Sequence, residues 1–189
     1  TPQLPSIFKI RNRLRDLQPE LRLILGGAHV ALSYAGRDQE QKIGEPKGRA
    51  SRAVQKLEDS FDVLCAGDGE VAVFEALQDH PPKFINGDDN KSKLFLTNEL
   101  YESTPPPARH LIDLSTYKYN IEGFPATSLI AQLGCPFGCG FCGGRFSRSL
   151  RIIRTRSHES IVEEISNLYD RYGYTGFMFY DDELNVNKN

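Results

Sequence analysis

A short apolar segment followed by a glycine turn and a helix-forming segment occurs twice in the first half of the chain. Residues 21–25 are mostly apolar and end in Gly26-Gly27, and the apolar segment 61–65 runs into Gly67-Asp68-Gly69-Glu70. Short buried strands that alternate with helices are typical of α/β folds, in which helices cover a parallel sheet. The sequence therefore predicts an α/β fold with a Rossmann-like sheet in this half.

The predicted helices follow apolar residues at spacings of three and four. They cover residues 7–17, 51–58, 71–78 and 158–172. Pro19 ends the first, Ser157 is a suitable N-cap for the last, and Gly173 is a suitable residue to close it.

The second half carries weaker signals until the cysteines. Asn86-Gly87-Asp88-Asp89 is a turn signal that can join two strands, the second near 94–96, and Pro105-Pro106-Pro107 indicates an extended linker. Residues 127–133 are predicted as a strand leading into the cysteines. Residues 176–180 are predicted as the next strand, and acidic residues follow it as in α/β barrels, which place their chemistry at the carboxyl ends of strands.

Charge and hydropathy exclude several classes of protein. Lys and Arg total 23 against 25 Asp and Glu, a net charge of -2 that does not indicate a nucleic-acid partner. No apolar run approaches the roughly 20 residues that span a bilayer, and no secretory leader opens the chain. We therefore expect a cytoplasmic protein with no membrane segment.

Three of the four cysteines lie within eight residues, in the order Cys135-x-x-x-Cys139-x-x-Cys142. Such clustering in a chain without export signals favours metal ligation over disulfides. A zinc ribbon needs two C-x-x-C pairs, and this loop has one, so a zinc knuckle is the lesser alternative to an iron–sulfur cluster. Cys65 could be a fourth ligand, but its apolar surroundings favour a buried structural thiol.

This cysteine spacing after a strand, with an aromatic residue before the last cysteine, resembles the signature of radical S-adenosylmethionine enzymes. The resemblance implies that Cys135, Cys139 and Cys142 hold a 4Fe–4S cluster, whose open iron binds S-adenosylmethionine and whose electron cleaves it to a 5′-deoxyadenosyl radical. External electron donors such as flavodoxin or ferredoxin are the implied partners. The residues implied to bind S-adenosylmethionine are Phe141 beside the adenine, Gly143, Gly144, and Asp181 and Asp182 near its amine.

The N-terminal half is similar to the cobalamin-binding domain found in one large subgroup of these enzymes. By that resemblance the cobalamin-binding residues are Gly26, Gly27, Gly67, Gly69 and Glu70, and Pro107-Ala108-Arg109-His110 matches the junction before the barrel. The family's D-x-H-x-x-G loop, where present, lies upstream of the part of the domain that these residues match, so the resemblance leaves open whether cobalamin has a lower axial histidine. His29 is interpreted as a packing or surface residue rather than as that ligand. The 39 residues between the two glycine turns suggest an insertion.

We therefore expect a fragment that joins the C-terminal part of a Rossmann-like cobalamin-binding domain to the first strands of a partial (β/α) barrel. The predicted divisions are a cobalamin-binding part at 1–84, a linker with a hairpin at 85–122, and a barrel part at 123–189. The fragment alone is expected to be inactive. Its parent is expected to transfer a methyl group from cobalamin to an unactivated carbon, with methylthiolation without cobalamin, or a non-catalytic sensor, as alternatives. The substrate is not predicted.

Overall fold

The structure, a computed structural model, describes residues 3–186 of the chain and divides it into two compact units. The first combines the chain up to Leu96 with Gly138–Arg151, and the second combines Thr97–Phe137 with the chain from Ile152 onward. The division falls between Phe137 and Gly138, inside the cysteine segment. The domain limits predicted from the sequence stay predictions.

The helices confirm most of the sequence pattern. They are α1 (Leu4–Leu17), α2 (Ala28–Lys42), α3 (Arg49–Glu58), α4 (Gly69–Ala76), α5 (Asn98–Ser103) and α6 (His158–Tyr172). Two helices, α2 and α3, lie between the first two strands, and the insertion suggested for this stretch stays a prediction. The ends of α6 are those predicted: Ser157 accepts a hydrogen bond from the Ser160 N–H, and Gly173 adopts the left-handed conformation.

A parallel sheet forms the centre of the first unit. Its strands are β1 (Ile24–Leu25), β2 (Val63–Gly67) and β3 (Phe84–Gly87), in the order β1-β2-β3. Leu64 pairs with Phe84 and Gly67 with Gly87, so β3 runs in register along β2. Since all three strands are parallel, the loops that follow them lie at one edge of the sheet, and the α/β fold is confirmed.

Alternation along β2 gives the sheet two covered faces. Leu64 and Ala66 pack into a core with residues of α2 and α3, whereas Val63 and Cys65 pack with Ala72 and Ala76 of α4. Successive strand residues point to opposite faces, so a strand buried on both sides is apolar throughout. This explains why the apolar composition of 61–65 predicts a strand, which the structure places two residues further along, at Val63–Gly67.

The expected hairpin at 86–89 is wrong. Gly87 ends β3, which pairs with β2 in parallel because α4 connects the two strands. No strand forms at 94–96; the Phe95 N–H instead closes a turn onto the Ser92 carbonyl oxygen at 3.1 Å. Phe95 and Leu96 do have buried apolar side chains, as a strand would, but they lie at a turn.

The second unit has its own small sheets. Its strands are β4 (Asn120–Ile121), β5 (Phe124–Leu129), β6 (Gln132–Leu133), β7 (Arg154–Thr155) and β8 (Gly176–Phe179). β5 lies between β4, antiparallel, and β8, parallel, while β6 and β7 form a separate antiparallel pair. Leu168 of α6 packs against Leu129 of β5 and Tyr174. A strand, a helix and a parallel strand thus follow one another as predicted.

The single strand predicted over 127–133 is two strands. β5 begins earlier, at Phe124, and ends at Leu129. The strand conformation is then interrupted at residues 130–131, before β6 begins at Gln132. The actual hairpin of this region joins β4 to β5 through Glu122 and Gly123, which both have positive φ as a two-residue hairpin turn requires. Among the helices of residues 3–186, none is both long and apolar enough to cross a membrane.

Candidate functional site

Loops that follow the three parallel strands form one edge of the first unit. Gly26-Gly27 follow β1, Asp68 and Gly69 follow β2, and Asp88 follows β3. In open α/β sheets this edge, at the carboxyl ends of the strands, is where ligands usually bind. The predicted cobalamin-binding glycines all lie on it.

Gly67 has a structural reason to be glycine. Its φ is +86°, and a Cβ built on it would lie 2.3 Å from the carbonyl carbon of Gly87 and 2.5 Å from the backbone nitrogen of Asp88. Side chains rarely adopt that φ, and real Cβ atoms essentially never approach backbone so closely. The ends of β2 and β3 can therefore meet only because Gly67 has no side chain.

The other predicted cobalamin-binding residues are more open. Gly27 also has a positive φ, +87°, but neither its Cβ nor that of Gly69 would have a neighbour within 4 Å. A Cβ built on Gly26 would make an ordinary contact with Cys65, at 3.7 Å. The Glu70 side chain is exposed in the first turn of α4. This edge is accessible to a ligand, and the cobalamin role of these residues stays a prediction.

The carboxylate of Asp88 binds the segment that follows the cysteines. Its Oδ1 accepts hydrogen bonds from the hydroxyls of Ser147 (2.7 Å) and Ser149 (2.6 Å) and from the Ser149 N–H (2.8 Å). Its Oδ2 accepts from the Arg148 N–H at 3.1 Å. Both serines are buried. Asp88 therefore joins the end of β3 to residues 147–149 within the first unit.

The cysteine segment lies on the long connection from β6 to β7, whose pairing closes the base of the connection. Leu133 pairs with Arg154, so residues 134–153 leave and return at adjacent positions. Cys135 belongs to the second unit, and Cys139 and Cys142 belong to the first.

The three clustered cysteines are free thiols. Cys139 is exposed, Cys135 and Cys142 are half-buried, and the Cys142 N–H donates to the Cys139 carbonyl oxygen at 3.1 Å. A tight turn thus carries two thiols, and thiolates of cysteine are the residues that hold iron–sulfur clusters. Among the described residues, no group of three or more His, Cys, Asp or Glu side chains is gathered as a metal site. The donor set fits an iron–sulfur cluster by its chemistry, and the cluster stays a prediction.

The residues predicted to bind S-adenosylmethionine fall into two groups. Phe141 is 94% exposed, and Gly143 and Gly144 begin a 3₁₀ turn directly after Cys142. The Asp181 carboxylate instead accepts from the backbone N–H groups of Ala131, at 3.1 Å, and Gln132, so it stabilises the break between β5 and β6.

The remaining acid of that predicted set, Asp182, is exposed beyond β8. Its side chain is therefore accessible to a ligand from solvent.

Cys65 is a buried structural thiol, as its apolar surroundings predicted. It lies in the middle of β2 among Val63, Ala72 and Ile85, and burial raises the pKa of its thiol. A protonated, buried thiol is a poor metal ligand. His29 is half-buried near the start of α2, where burial lowers the pKa of its imidazole.

The sequence analysis does not predict two polar contacts. One is the contact of Asp88 with residues 147–149; the position of Asp88 directly after a glycine indicates only a turn. The other is Glu164 of α6, buried in the second unit, whose carboxylate accepts from Arg109 at 2.6 Å and from Arg156. Glu164 lies on the apolar face of α6, three residues after Ile161 and four before Leu168, and this position in the sequence could have indicated that its carboxylate is buried. This contact holds Arg109, in the segment predicted as a junction, against α6.

A cavity of about 560 Å³ opens in the first unit between α2, β3 and the segment after the cysteines. Charged residues of both signs line it, among them Lys42, Arg148, Asp38 and Asp89. Its lining therefore does not select one class of ligand by charge.

Comparisons with known proteins give two partial similarities. Over 87 residues, 46% of this chain, it is 33% identical to an uncharacterized methyltransferase of Pyrococcus horikoshii, of which the match covers 18%. Over 147 residues, 72% of this chain, it is 30% identical to a UPF0313 protein of Shewanella oneidensis, of which the match covers 16%.

The chain spans less than a fifth of the length of each of these relatives. No protein-family model matches it, and no solved structure does. The chain is thus similar, at low identity, to a protein named a methyltransferase.

Proposed function

We propose that this chain is part of a radical S-adenosylmethionine enzyme, with a 4Fe–4S cluster held by Cys135, Cys139 and Cys142. The observation that carries the proposal is the spacing of three free thiols on one connection whose base is closed by β6 and β7. Three thiolates leave one iron of a four-iron cluster without a protein ligand, and catalytic metal centres keep such an open position. The similarity to a protein named a methyltransferase supports an enzyme of that kind.

The protein groups around the thiols support the same reaction. When bound, the cluster supplies the electron, taken from an external donor, that cleaves S-adenosylmethionine to methionine and a 5′-deoxyadenosyl radical. Phe141 presents an exposed ring on which an adenine can stack. Gly144 lies beside the Cys142 sulfur, and a Cβ on it would approach the Leu150 side chain to 3.0 Å, so a small residue fits this position.

The two aspartates after β8 have different proposed roles. Asp181 is engaged with the backbone at the break between β5 and β6, so it acts by fixing that strand end. Asp182 is exposed and can accept a charge-assisted hydrogen bond from the methionyl ammonium. Of the two, Asp182 is therefore the proposed ligand of the cosubstrate.

The edge of the parallel sheet is the proposed cobalamin site. Gly27 and Gly69 have open space where side chains would be, which lets a large ligand approach the backbone. Glu70 adds an exposed carboxylate that can accept a hydrogen bond from an amide of the ligand. A cobalamin at this edge would supply the methyl group for a methyl transfer.

Anaerobic reconstitution tests the cluster assignment. Iron and sulfide per chain are measured for the wild type, for alanine variants of Cys135, Cys139 and Cys142, and for Cys65→Ala as the matched control. We expect each of the three variants to lose most of the iron and Cys65→Ala to keep it. Retention of iron by all three, or stoichiometric zinc with no sulfide, would contradict the proposal.

Equilibrium dialysis with hydroxocobalamin tests the sheet edge separately. Gly69→Leu fills the open space at the start of α4, whereas Gln78→Leu places the same side chain on an exposed position just beyond the other end of that helix. We expect binding by the wild type and Gln78→Leu and weaker binding by Gly69→Leu. Equal binding by all three proteins, or none by any, would reject the site.

A further inference from the structure

A single carboxylate connects the sheet of the first unit to the segment that carries two of the cysteines. Asp88 accepts four hydrogen bonds from three consecutive residues, Ser147, Arg148 and Ser149. Two of the donors are hydroxyls and two are backbone N–H groups. An ionised carboxylate only accepts hydrogen bonds and has about four lone-pair positions, so its capacity matches this set of donors.

Burial makes these bonds difficult to replace. The Ser147 and Ser149 side chains have relative exposures of 0% and 2%, and their hydroxyl oxygens are 3.2 Å apart. A buried hydroxyl or N–H that loses its acceptor is strongly destabilising, because water cannot take its place. An acceptor at position 88 therefore stabilises this conformation of residues 147–149.

A continuous series of backbone turns links this contact to the thiols. The Ser147 N–H donates to the Gly144 carbonyl oxygen at 3.0 Å, and the Arg145 N–H donates to the Cys142 carbonyl oxygen at 3.4 Å. The Cys142 N–H in turn donates to the Cys139 carbonyl oxygen at 3.1 Å. Every residue from Cys139 to Ser147 thus lies within a closed turn or directly beside one.

The position of Asp88 is itself fixed by the sheet. It follows Gly87, which pairs with Gly67, and a side chain at Gly67 would collide with the Asp88 nitrogen. Strands in a packed sheet are rigid compared with loops. Through residues 147–149, the Asp88 carboxylate therefore connects the turn at Cys139–Cys142 to the rigid sheet.

We propose that Asp88 is a positioning residue that holds the Cys139–Cys142 turn in the conformation needed for ligation. It acts through residues 147–149 and contacts neither thiol. The proposal rests on the proposed function where it concerns the cluster, but the positioning of the turn is a property of the chain without any cluster. The two parts can therefore be tested separately.

The first test uses the chain without metal. Asp88→Ala removes all four acceptor positions, and Asp88→Asn keeps one oxygen but places an amide where the Arg148 N–H needs an acceptor. Asp89→Asn is the matched control, because it removes the same charge from the adjacent residue, whose carboxylate accepts a hydrogen bond from the local Lys91 N–H. The rate of alkylation of each cysteine is measured by mass spectrometry, together with hydrogen exchange over residues 138–151.

We expect the alkylation of Cys142 to accelerate by about tenfold in Asp88→Ala, by less in Asp88→Asn, and not in Asp89→Asn. Hydrogen exchange at Arg148 and Ser149 should rise in the same order. Cys65 reports on the fold as a whole, because it is buried in the sheet. An unchanged Cys142 rate in Asp88→Ala, or a parallel rise at Cys65, would overturn the proposal.

Ser149→Ala is the milder variant if Asp88→Ala does not fold, since it removes one donor and leaves the carboxylate in place. A smaller acceleration at Cys142 supports the proposal, and no acceleration contradicts it.

The second test adds iron and sulfide under anaerobic conditions. We expect iron per chain to fall in the order wild type, Asp88→Asn, Asp88→Ala, with Asp89→Asn equal to the wild type. Equal iron in all four proteins would reject the role of Asp88 in ligation. A wild-type chain that takes up no iron would reject the proposed function instead, while the alkylation rates still decide whether Asp88 positions the turn.

Discussion

Replacement of Gly67 by alanine tests whether this glycine serves the sheet rather than a ligand. The substitution adds one methyl group at a residue with φ of +86° and places it 2.3 Å from the Gly87 carbonyl carbon. Two physical effects then act together. The left-handed conformation disfavours any side chain, and the overlap with backbone atoms forces β2 and β3 apart.

The magnitude follows from these two effects. A non-glycine residue in the left-handed region is destabilised by about 1–2 kcal/mol. Forcing an extra carbon into a filled space costs about 1–3 kcal/mol. We therefore expect Gly67→Ala to lower the free energy of unfolding of the first unit by about 2–5 kcal/mol.

Gly27→Ala and Gly69→Ala are the matched controls. Gly27 shares the positive φ, at an extended ψ of −179°, but has no neighbour within 4 Å, so Gly27→Ala should cost only the backbone strain of about 1–3 kcal/mol, without the cost of crowding. Gly69 has neither a positive φ nor a neighbour, and alanine there should be neutral or stabilising by up to about 1 kcal/mol. Urea denaturation followed by circular dichroism measures all three. Equal effects at the three positions would refute the reasoning from backbone crowding.

Three further predictions concern stability and thiol reactivity. Glu164→Ala leaves two partly buried guanidinium groups without their carboxylate, and should lower the free energy of unfolding of the second unit by about 2–4 kcal/mol in urea denaturation, an estimate that a loss below about 1 kcal/mol would contradict. Burial raises the pKa of Cys65, so this thiol should resist iodoacetamide at pH 8 while Cys139 reacts, and equal rates in the folded chain would contradict its burial. Partial burial acts to raise the pKa of Asp62, but the Leu23 N–H and the Arg15 guanidinium outweigh it and hold that pKa below its usual value. A carboxyl with a lowered pKa stabilises the fold above its unfolded pKa of about 4, and this stability is lost as the pH falls through the folded pKa. Urea denaturation below about pH 4 should therefore show a smaller loss of stability with pH in Asp62→Asn than in the wild type, and identical slopes would contradict this.

The parts of the fold that the sequence predicted have local causes. Apolar spacing and the capping residues Ser157 and Gly173 define α6 without reference to any other segment. The strand β2 is buried on both faces, so its composition alone identifies it. The α/β class follows from those two kinds of signal.

The parts that were wrong or missed depend on contacts between distant residues. Asn86-Gly87 has the composition of a hairpin turn, yet α4 returns the chain in parallel, and only the three-dimensional connection decides between the two. The break between β5 and β6 is stabilised by Asp181, about fifty residues away. The contact of Asp88 with Ser149 likewise spans 61 residues, beyond the reach of periodicity or spacing.

For the candidate site, the sequence predicted residue types better than roles. The cysteine spacing identified three thiols, and the structure shows them as free cysteines. Gly67 was assigned to a ligand by resemblance, whereas its contact with Gly87 gives it a structural function. Such a role depends on the distance between two strands, which no single segment encodes.

Electron paramagnetic resonance of the reduced, reconstituted chain, with and without S-adenosylmethionine, tests the central claim most directly. Cys139→Ala serves as the comparison, because it removes one proposed ligand from an exposed position. An open iron predicts a four-iron signal in the wild type that changes when S-adenosylmethionine is added and is absent from the variant. A signal that ignores S-adenosylmethionine, or one that survives in Cys139→Ala, would contradict the claim that these thiols hold a cluster with an open iron.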